Sequence, residues 1–456
     1  MTEGTGARRV DPARRAAYDT LRAVHARDAY ANLVLPRLLS ERQLVSRDAA
    51  FATELAYGTL RQQGLYDAVL AECARRPVAR LDPPLLDVLR LGVHQILRTR
   101  VPAHAAVSAT VELARAALGP RPVKLANAVL RKACMHDEEG WVRALAPSRE
   151  SDPAGYLSLA HAHPRWVVEA FHAALGSDWD ETEAALTADN EPADVVLCAR
   201  RCDRDELGGR LGRWSPYAVV ADGDPGSLEA VRAGLAGVQD EGSQLVAMAL
   251  AAAEVPRRAS REVWLDACAG PGGKAALLSV LGAERGARVL AAERRPARAA
   301  LVHGALAGTG GAAAVVADSR DGPWCPATFD RVLVDAPCTG LGALRRRPEA
   351  RWRRRADDVR ALAAIQKDLL RGALASVRPG GVVAYATCSP HPAETTGIVG
   401  EVVTETPDAE VEDARELLPG VPDLGPGPSV QLWPHRHGTD AMFLTVVRRT
   451  PAAGSR

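Results

Sequence analysis

Cys338, in the run Asp335-Ala336-Pro337-Cys338, and Cys388, in Thr387-Cys388-Ser389-Pro390, each stand just past an apolar run that reads as a buried strand. A third segment, Asp266-Ala267-Cys268-Ala269-Gly270-Pro271-Gly272-Gly273-Lys274, follows another such run. Ligands of an open parallel sheet bind beyond the carboxyl ends of its strands, so a Gly-rich cofactor loop and two thiol nucleophiles should line one crevice. That combination suggests covalent methylation of a pyrimidine ring.

The Gly-rich loop suits close approach of backbone to a ligand, because Gly270, Gly272 and Gly273 carry no side chain to clash. It is not a phosphate loop, since Ala275 follows Lys274 where Ser or Thr is required, and it lacks the Gly-x-Gly-x-x-Gly dinucleotide pattern. Glu293 lies 23 residues after Gly270, near the distance at which an acid accepts hydrogen bonds from a ribose, and Asp318 is placed for an adenine amino group. Between Arg345 and Arg355 stand seven arginines and one glutamate, with Trp352 among them. A charge run is commonly a solvated face, but at the mouth of this crevice Arg345, Arg346 and Arg347 could contact phosphates and Trp352 could stack on a base. Cys73, Cys134 and Cys325 read as small hydrophobes, Cys198 and Cys202 lack the partner pair of a zinc site, and Cys268 reads as shaping the loop. His435 and His437 have no third ligand at fixed spacing and read as a loop beside a target base; no metal is expected.

These groups need elements to hold them. Strand candidates from about residue 238 onward are 263–265, 288–292, 313–317, 331–334, 382–386, 409–411 and 443–447, with helical stretches between the first five. That is the rhythm of a doubly wound α/β sheet, and its first five strands end in Asp266, Glu293, Asp318, Asp335 and Thr387-Cys388. The last two strands could pair as an antiparallel hairpin at the end of the sheet. Residues 10–133 are helical in pattern: Leu86, Leu89, Val93 and Ile96 recur at spacings of three and four, as do Val107, Val111, Ala114 and Leu118. Residues 136–155, with Asp137-Glu138-Glu139-Gly140, read as a linker. Helix is expected over 166–175 and 206–211, with strands at 194–199 and 218–221. The expected division is a helical domain over 1–139, a small α/β subdomain over 156–235 and a cofactor-binding domain over 236–450.

The chain has 456 residues, 47% of them apolar, and a net charge of only +1. Residues 1–150 hold 23 basic against 16 acidic groups and the remainder 34 against 40, an asymmetry that turns the N-terminal part toward a polyanion. Eight scattered cysteines, no signal-peptide core and no apolar run of eighteen point to a reducing, cytoplasmic setting without a membrane span. A monomer is expected.

The runs VQDEGSQL (238–245), LDACAGPGGK (265–274), VDAPCTGLGALRRRPEARWRR (334–354), YATCSPHPAE (385–394) and HGTDAMF (437–443) resemble the motif series of the S-adenosylmethionine-dependent RNA cytosine-5 methyltransferases. LANAVLRKA (125–133) is similar to the signature of a NusB-like domain, which within that family marks the bacterial 16S ribosomal RNA methyltransferase B group. The resemblance spans almost the whole chain and is weakest over 140–235. It implies a Rossmann-like class I methyltransferase sheet behind an RNA-binding NusB-like domain. S-adenosylmethionine would be bound by Cys268, Ala269, Gly270, Pro271, Gly272, Gly273, Lys274, Glu293, Asp318 and Asp335. The family's usual loop reads Ala-Pro-Gly-Gly-Lys, from which Ala269-Gly270-Pro271 is a small departure. The likeness gives Cys388 the nucleophile's role and Cys338 the release of the product, with Asp335 hydrogen-bonding the base. Physically, cytosine C5 is too poor a nucleophile to take a methyl group unaided, and a thiolate added at C6 turns C5 into an enamine carbon that can. The implied substrate is a cytosine in 16S ribosomal RNA. Transfer RNA or another RNA remains an alternative, as do a DNA cytosine-5 enzyme using Cys338 as nucleophile and a non-catalytic antitermination-type RNA-binding factor.

Overall fold

The computed structural model describes residues 10–256 and 261–450. The chain divides into two compact units. The first takes residues up to His172 with Asp178–Asn190 and Leu344–Arg353; the second takes Ala173–Ser177, Glu191–Ala343 and Arg354 onward.

The first unit is helical. Helices Pro12–Arg27, Ser46–Arg61, Gln63–Ala74, Pro83–Arg98, Ala103–Leu118 and Val123–Ala133 bury Leu21, Leu55, Leu60, Tyr66, Leu89, Val93, Leu113 and Leu130 in one core. The spacing of three and four that predicts these helices is the spacing that puts such residues on one face. The expected linker over 136–155 is instead two helices, Glu138–Leu145 and Pro153–Ala160. Asp137 caps the first by accepting from Gly140 N at 2.8 Å, so the acidic Asp-Glu-Glu-Gly run is a helix start, and Trp141, 4% exposed, anchors it in the core. Likewise residues 156–172 and 178–190 belong to this helical unit and not to a small α/β subdomain. Helices Arg165–Ala174 and Trp179–Asn190 bury Val167, Val168, Phe171, Ala185 and Leu186 at helical spacing.

The arginine run also departs from expectation. Within the first unit Arg351 is fully buried, donating to Arg61 O at 3.0 Å, Asn190 Oδ1 at 2.7 Å and Asp189 O at 2.8 Å. Burial pulls its pKa down to about 10, so it still carries its charge at neutral pH. Arg353 donates to the carbonyls of Val24 and Ala29, and Arg347 and Arg353 both lie over the Tyr30 ring. The run is thus partly an internal clamp, a role that composition cannot separate from a solvated face. With three hydrogen bonds from one buried cation, Arg351→Ala is expected to cost about 3 kcal/mol. Thermal melting measures it, and an unchanged melting temperature would remove the clamp.

The second unit holds two sheets. Strands β1 (Val196–Ala199), β2 (Arg210–Leu211), β3 (Ala218–Val220) and β4 (Ala236–Val238) form a small antiparallel sheet in the order β2-β3-β1-β4. Where helix was expected over 206–211, a 3-10 turn at Arg204–Leu207 stops at Gly208-Gly209 and gives way to β2. The larger sheet contains β5 (Val263–Asp266), β6 (Arg288–Glu293), β7 (Ala312–Val316), β8 (Phe329–Asp335), β9 (Val377–Thr387), β10 (Ala409–Glu412), β11 (Val430–Gln431) and β12 (Phe443–Arg449). Its order is β10-β12-β9-β8-β5-β6-β7, with β11 beside β12. Strands β5 to β9 pair in parallel, while β12 runs antiparallel to both β9 and β10. Successive residues of β9 alternate between two cores. Val382, Ala384 and Ala386 face the side of helices Glu241–Ala252 and Gly273–Glu284; Val383 and Tyr385 face the side of Ala356–Ser376 and Thr396–Glu405. The chain runs outward from β5 through β6 to β7, then resumes on the other side of β5 with β8. The switch point therefore lies between the ends of β5 and β8, where such sheets bind ligands.

Candidate active site

The two cysteines meet because their strands are neighbours in register. Asp335 of β8 pairs with Ala386 of β9, and Ala336 N donates to Ala386 O at 2.9 Å, so the chain leaves both strands at the same level. Fifty residues apart in sequence, Cys338 Sγ and Cys388 Sγ lie 3.4 Å from each other, both partly exposed. The hydrogen bond with Cys388, and burial after it, push the Cys338 thiol well above its ordinary range. Either sulfur can be the donor of this bond, and the raised Cys338 thiol suits that part.

Beneath them is a carboxylate that the sequence reading passed over. Glu394, fully buried, accepts at Oε1 from Thr339 N (2.8 Å) and Gln366 Nε2 (3.1 Å), and at Oε2 from Thr339 Oγ1 (2.5 Å) and Ser389 Oγ (2.7 Å). Thr339 and Ser389 are the residues that follow the two cysteines.

At the switch point, Lys274 Nζ donates to Asp335 Oδ2 at 2.9 Å. Burial works to strip Lys274 of its proton, but Asp335, and more weakly Cys388 and Asp266, outweigh it and raise its pKa. Asp266 at the end of β5 is fully buried; its Oδ1 accepts from Cys268 N at 3.3 Å, while its Oδ2 has no hydrogen-bond partner. Burial first, and then the nearby Asp335, push the Asp266 carboxyl up to about 7.

An unfolded Asp ionises near pH 4, so between roughly pH 4 and 7 the unfolded chain loses a proton that the folded one keeps. The contribution of Asp266 to stability is thus complete at low pH and falls as pH rises through that window. Asp266→Asn is expected to raise the melting temperature of the cofactor-free protein at pH 8 relative to wild type, and to change it little at pH 4. The difference corresponds to a few kcal/mol at most, on the order of 1.4 kcal/mol per unit. Parallel melting curves of the two proteins against pH would contradict it.

The Gly-rich loop fits an adenosine-bearing cofactor. Gly272, at φ +116°, caps helix Gly273–Glu284, and a Cβ there would stand 2.6 Å from Ala305 Cβ. A Cβ on Gly270 would collide with Glu293 Oε2. Glu293 ends β6, is 8% exposed, and accepts from Arg295 N at 2.8 Å. Asp318, just past β7, is paired with Arg320 (2.7 Å), whose hydrogen bond draws the Asp318 carboxyl below its usual range. The unpartnered Asp266 oxygen offers an acceptor for a cationic group. Burial, and after it Asp266, raise the Cys268 thiol well above its ordinary range.

Arg345 is buried, Trp352 packs where a Cβ on Gly64 would touch its ring, and both belong to the first unit, as do Arg346 and Arg347. His437 is 2% exposed and structural: Nδ1 accepts from Trp433 N at 2.9 Å and Nε2 lies 2.9 Å from Pro422 O. Among the described residues no group of three or more His, Cys, Asp or Glu could hold a metal ion, and no helix is long and apolar enough to cross a membrane.

Residues 255–448 match the family model described as 16S rRNA methyltransferase RsmB/F, and residues 11–134 match that of the NusB family. The ribosomal RNA small subunit methyltransferase B of Pseudomonas putida is 34% identical over 88% of this chain and 91% of that protein. The chain belongs to the 16S rRNA methyltransferase RsmB/F family. The Mycobacterium tuberculosis (H37Rv) protein Rv1407, which bears a provisional methyltransferase name, is 55% identical over 98% of this chain and 99% of its own length. Among solved structures, PH0851 superposes with a TM-score of 0.79 at 22% identity, covering 96% of this chain and 98% of that one, a likeness of fold. The RsmB/F chain thus carries a NusB-like helical region ahead of a Rossmann-like methyltransferase sheet.

Proposed function

We propose that this RsmB/F chain transfers a methyl group from S-adenosylmethionine to C5 of a cytosine in 16S ribosomal RNA through a covalent bond from Cys388. The observation that carries the reading is the pair of thiols 3.4 Å apart at the adjoining ends of β8 and β9, beside the Lys274–Asp335 pair. When bound, the cofactor supplies an electrophilic methyl group. Cys388 adds as thiolate to C6, and the electron pair pushed onto C5 takes that methyl. Asp335, held by Lys274, accepts from the ring's amino group and steadies the adduct. Solvent water, which reaches the half-exposed thiols, then takes the C5 proton, and the C–H electron pair forms the C5–C6 double bond as the C6–S pair leaves with Cys388 as thiolate. Cys338 donates a hydrogen bond from its thiol to the departing sulfur. Both ring edges must be reachable, so the base has to be unpaired or flipped out.

In this reading Cys268 to Lys274 cradle the cofactor, Glu293 takes the ribose hydroxyls and Asp318 the adenine amino group. Arg346 and Arg347 are kept as phosphate contacts, while the burial of Arg345 and the packing of half-buried Trp352 beside Gly64 speak for structural roles. The test is transfer of labelled methyl from S-adenosylmethionine to small-subunit ribosomal RNA, followed by digestion to nucleosides. The label belongs in 5-methylcytidine; label in any other nucleoside overturns the reading.

A further inference from the structure

We propose that Glu394 is a positioning residue that holds the two cysteine turns in the mutual geometry needed for release of the methylated base, an inference that rests on the covalent reading above. The backbone does only part of this: the ladder rung from Ala336 N to Ala386 O (2.9 Å) is followed by one further bond, Gly342 N to Cys388 O at 2.8 Å, and neither holds Thr339 or Ser389, the residues next to the two cysteines. Past that rung, the turns carrying Cys338 and Cys388 converge on one buried carboxylate. Thr339 binds it through both its N–H and its hydroxyl, and Ser389 binds it through its hydroxyl. The hold extends to Pro337 on one side and to Tyr385 on the other. Gln366 Nε2 bridges Glu394 to Pro337 O at 3.0 Å, and Tyr385 OH donates to Glu394 O at 2.8 Å. Burying a carboxylate costs several kcal/mol unless donors surround it, and here four donor bonds meet its two oxygens. That expense falls where the thiol separation of 3.4 Å is set.

Glu394 touches neither the cofactor loop nor the expected base site, so it acts through the cysteines. If it is removed, Cys388 can still add to C6, but Cys338 is no longer held against the departing sulfur. Glu394→Gln keeps an acceptor for Thr339 N and Gln366, and its amide can donate to the two hydroxyls, which can rotate to accept.

The experiment compares wild type, Glu394→Ala, Glu394→Gln and Cys338→Ala as full chains, each given ribosomal RNA and S-adenosylmethionine. Expected for Glu394→Ala is a kcat lowered about 100-fold, as for a misplaced catalytic group, with the KM for S-adenosylmethionine unchanged. A denaturant-resistant protein–RNA complex should accumulate as it does with Cys338→Ala, and Glu394→Gln should restore most of the turnover without the complex. Full turnover in Glu394→Ala overturns the proposal. So does lost activity with no complex while Cys338→Ala still forms one. Absence of the complex in Cys338→Ala itself would instead overturn the covalent reading. Should Glu394→Ala fail to fold, Ser389→Ala, which removes the Cys388-side tether to Glu394 together with the Ser389–Thr339 hydroxyl contact at 3.1 Å, must give the same complex at smaller amplitude or the proposal falls.

Discussion

Cys388→Ala is expected to lower methyl transfer by on the order of 10⁴-fold or more, the scale on which removal of an enzyme nucleophile acts. Without addition at C6, the ring carbon that must attack has no electron pair to offer, so no other group on the protein can substitute by proximity alone. The affinity for S-adenosylmethionine should be unchanged, because the Gly-rich loop, Glu293 and Asp318 are carried by β5 to β7 and their connections, away from β9. Single-turnover transfer and calorimetric titration of the cofactor measure the two quantities separately. Residual transfer within 10-fold of wild type would take the nucleophile's role from Cys388.

Lys274→Met is expected to have the second largest effect, on stability and cofactor binding together. The substitution removes the partner of Asp335 and leaves it facing Asp266, itself pushed up to about 7 by burial and by Asp335. Because the Asp335 side chain is 28% exposed, water meets part of the cost, and a loss of about 2 kcal/mol is expected instead of the fuller penalty of a sealed pair. Cofactor affinity should fall with it, since Lys274 stands in the first turn of helix Gly273–Glu284, at the switch point. Adding Asp335→Asn should recover part of the stability and none of the methyl transfer. If Lys274→Met melts and binds cofactor as wild type does, the charged pair contributes nothing to the site.

The parts of the site that were legible in sequence are those where a strand end coincides with a chemically distinctive residue. Asp266, Glu293, Asp335 and Cys388 stand at or just past the ends of β5, β6, β8 and β9, because period and composition mark a buried strand and the loop after it is where such a sheet works. Glu394 was illegible in the residues alone. An acid after His-Pro-Ala reads as a turn, and three of the four bonds that give it its worth come from donors 28 to 55 positions away. The burial of Arg351 was illegible for a related reason: it depends on carbonyls at residues 61 and 189, which the run itself does not contain. The Asp-Glu-Glu-Gly segment shows the reverse case. The same residues that signal a turn also cap a helix, and the decision lay with Trp141 further along.

The covalent step is tested most directly by Cys338→Ala incubated with small-subunit ribosomal RNA and S-adenosylmethionine, then resolved under denaturing conditions and digested for mass spectrometry. A retarded protein–RNA band is expected, with one methylated cytosine nucleotide attached to the peptide containing Cys388, and no band when Cys388→Ala is added. A nucleotide bound instead through Cys338 in the Cys388→Ala protein, or no adduct in either variant, would contradict the assignment of Cys388 as the nucleophile.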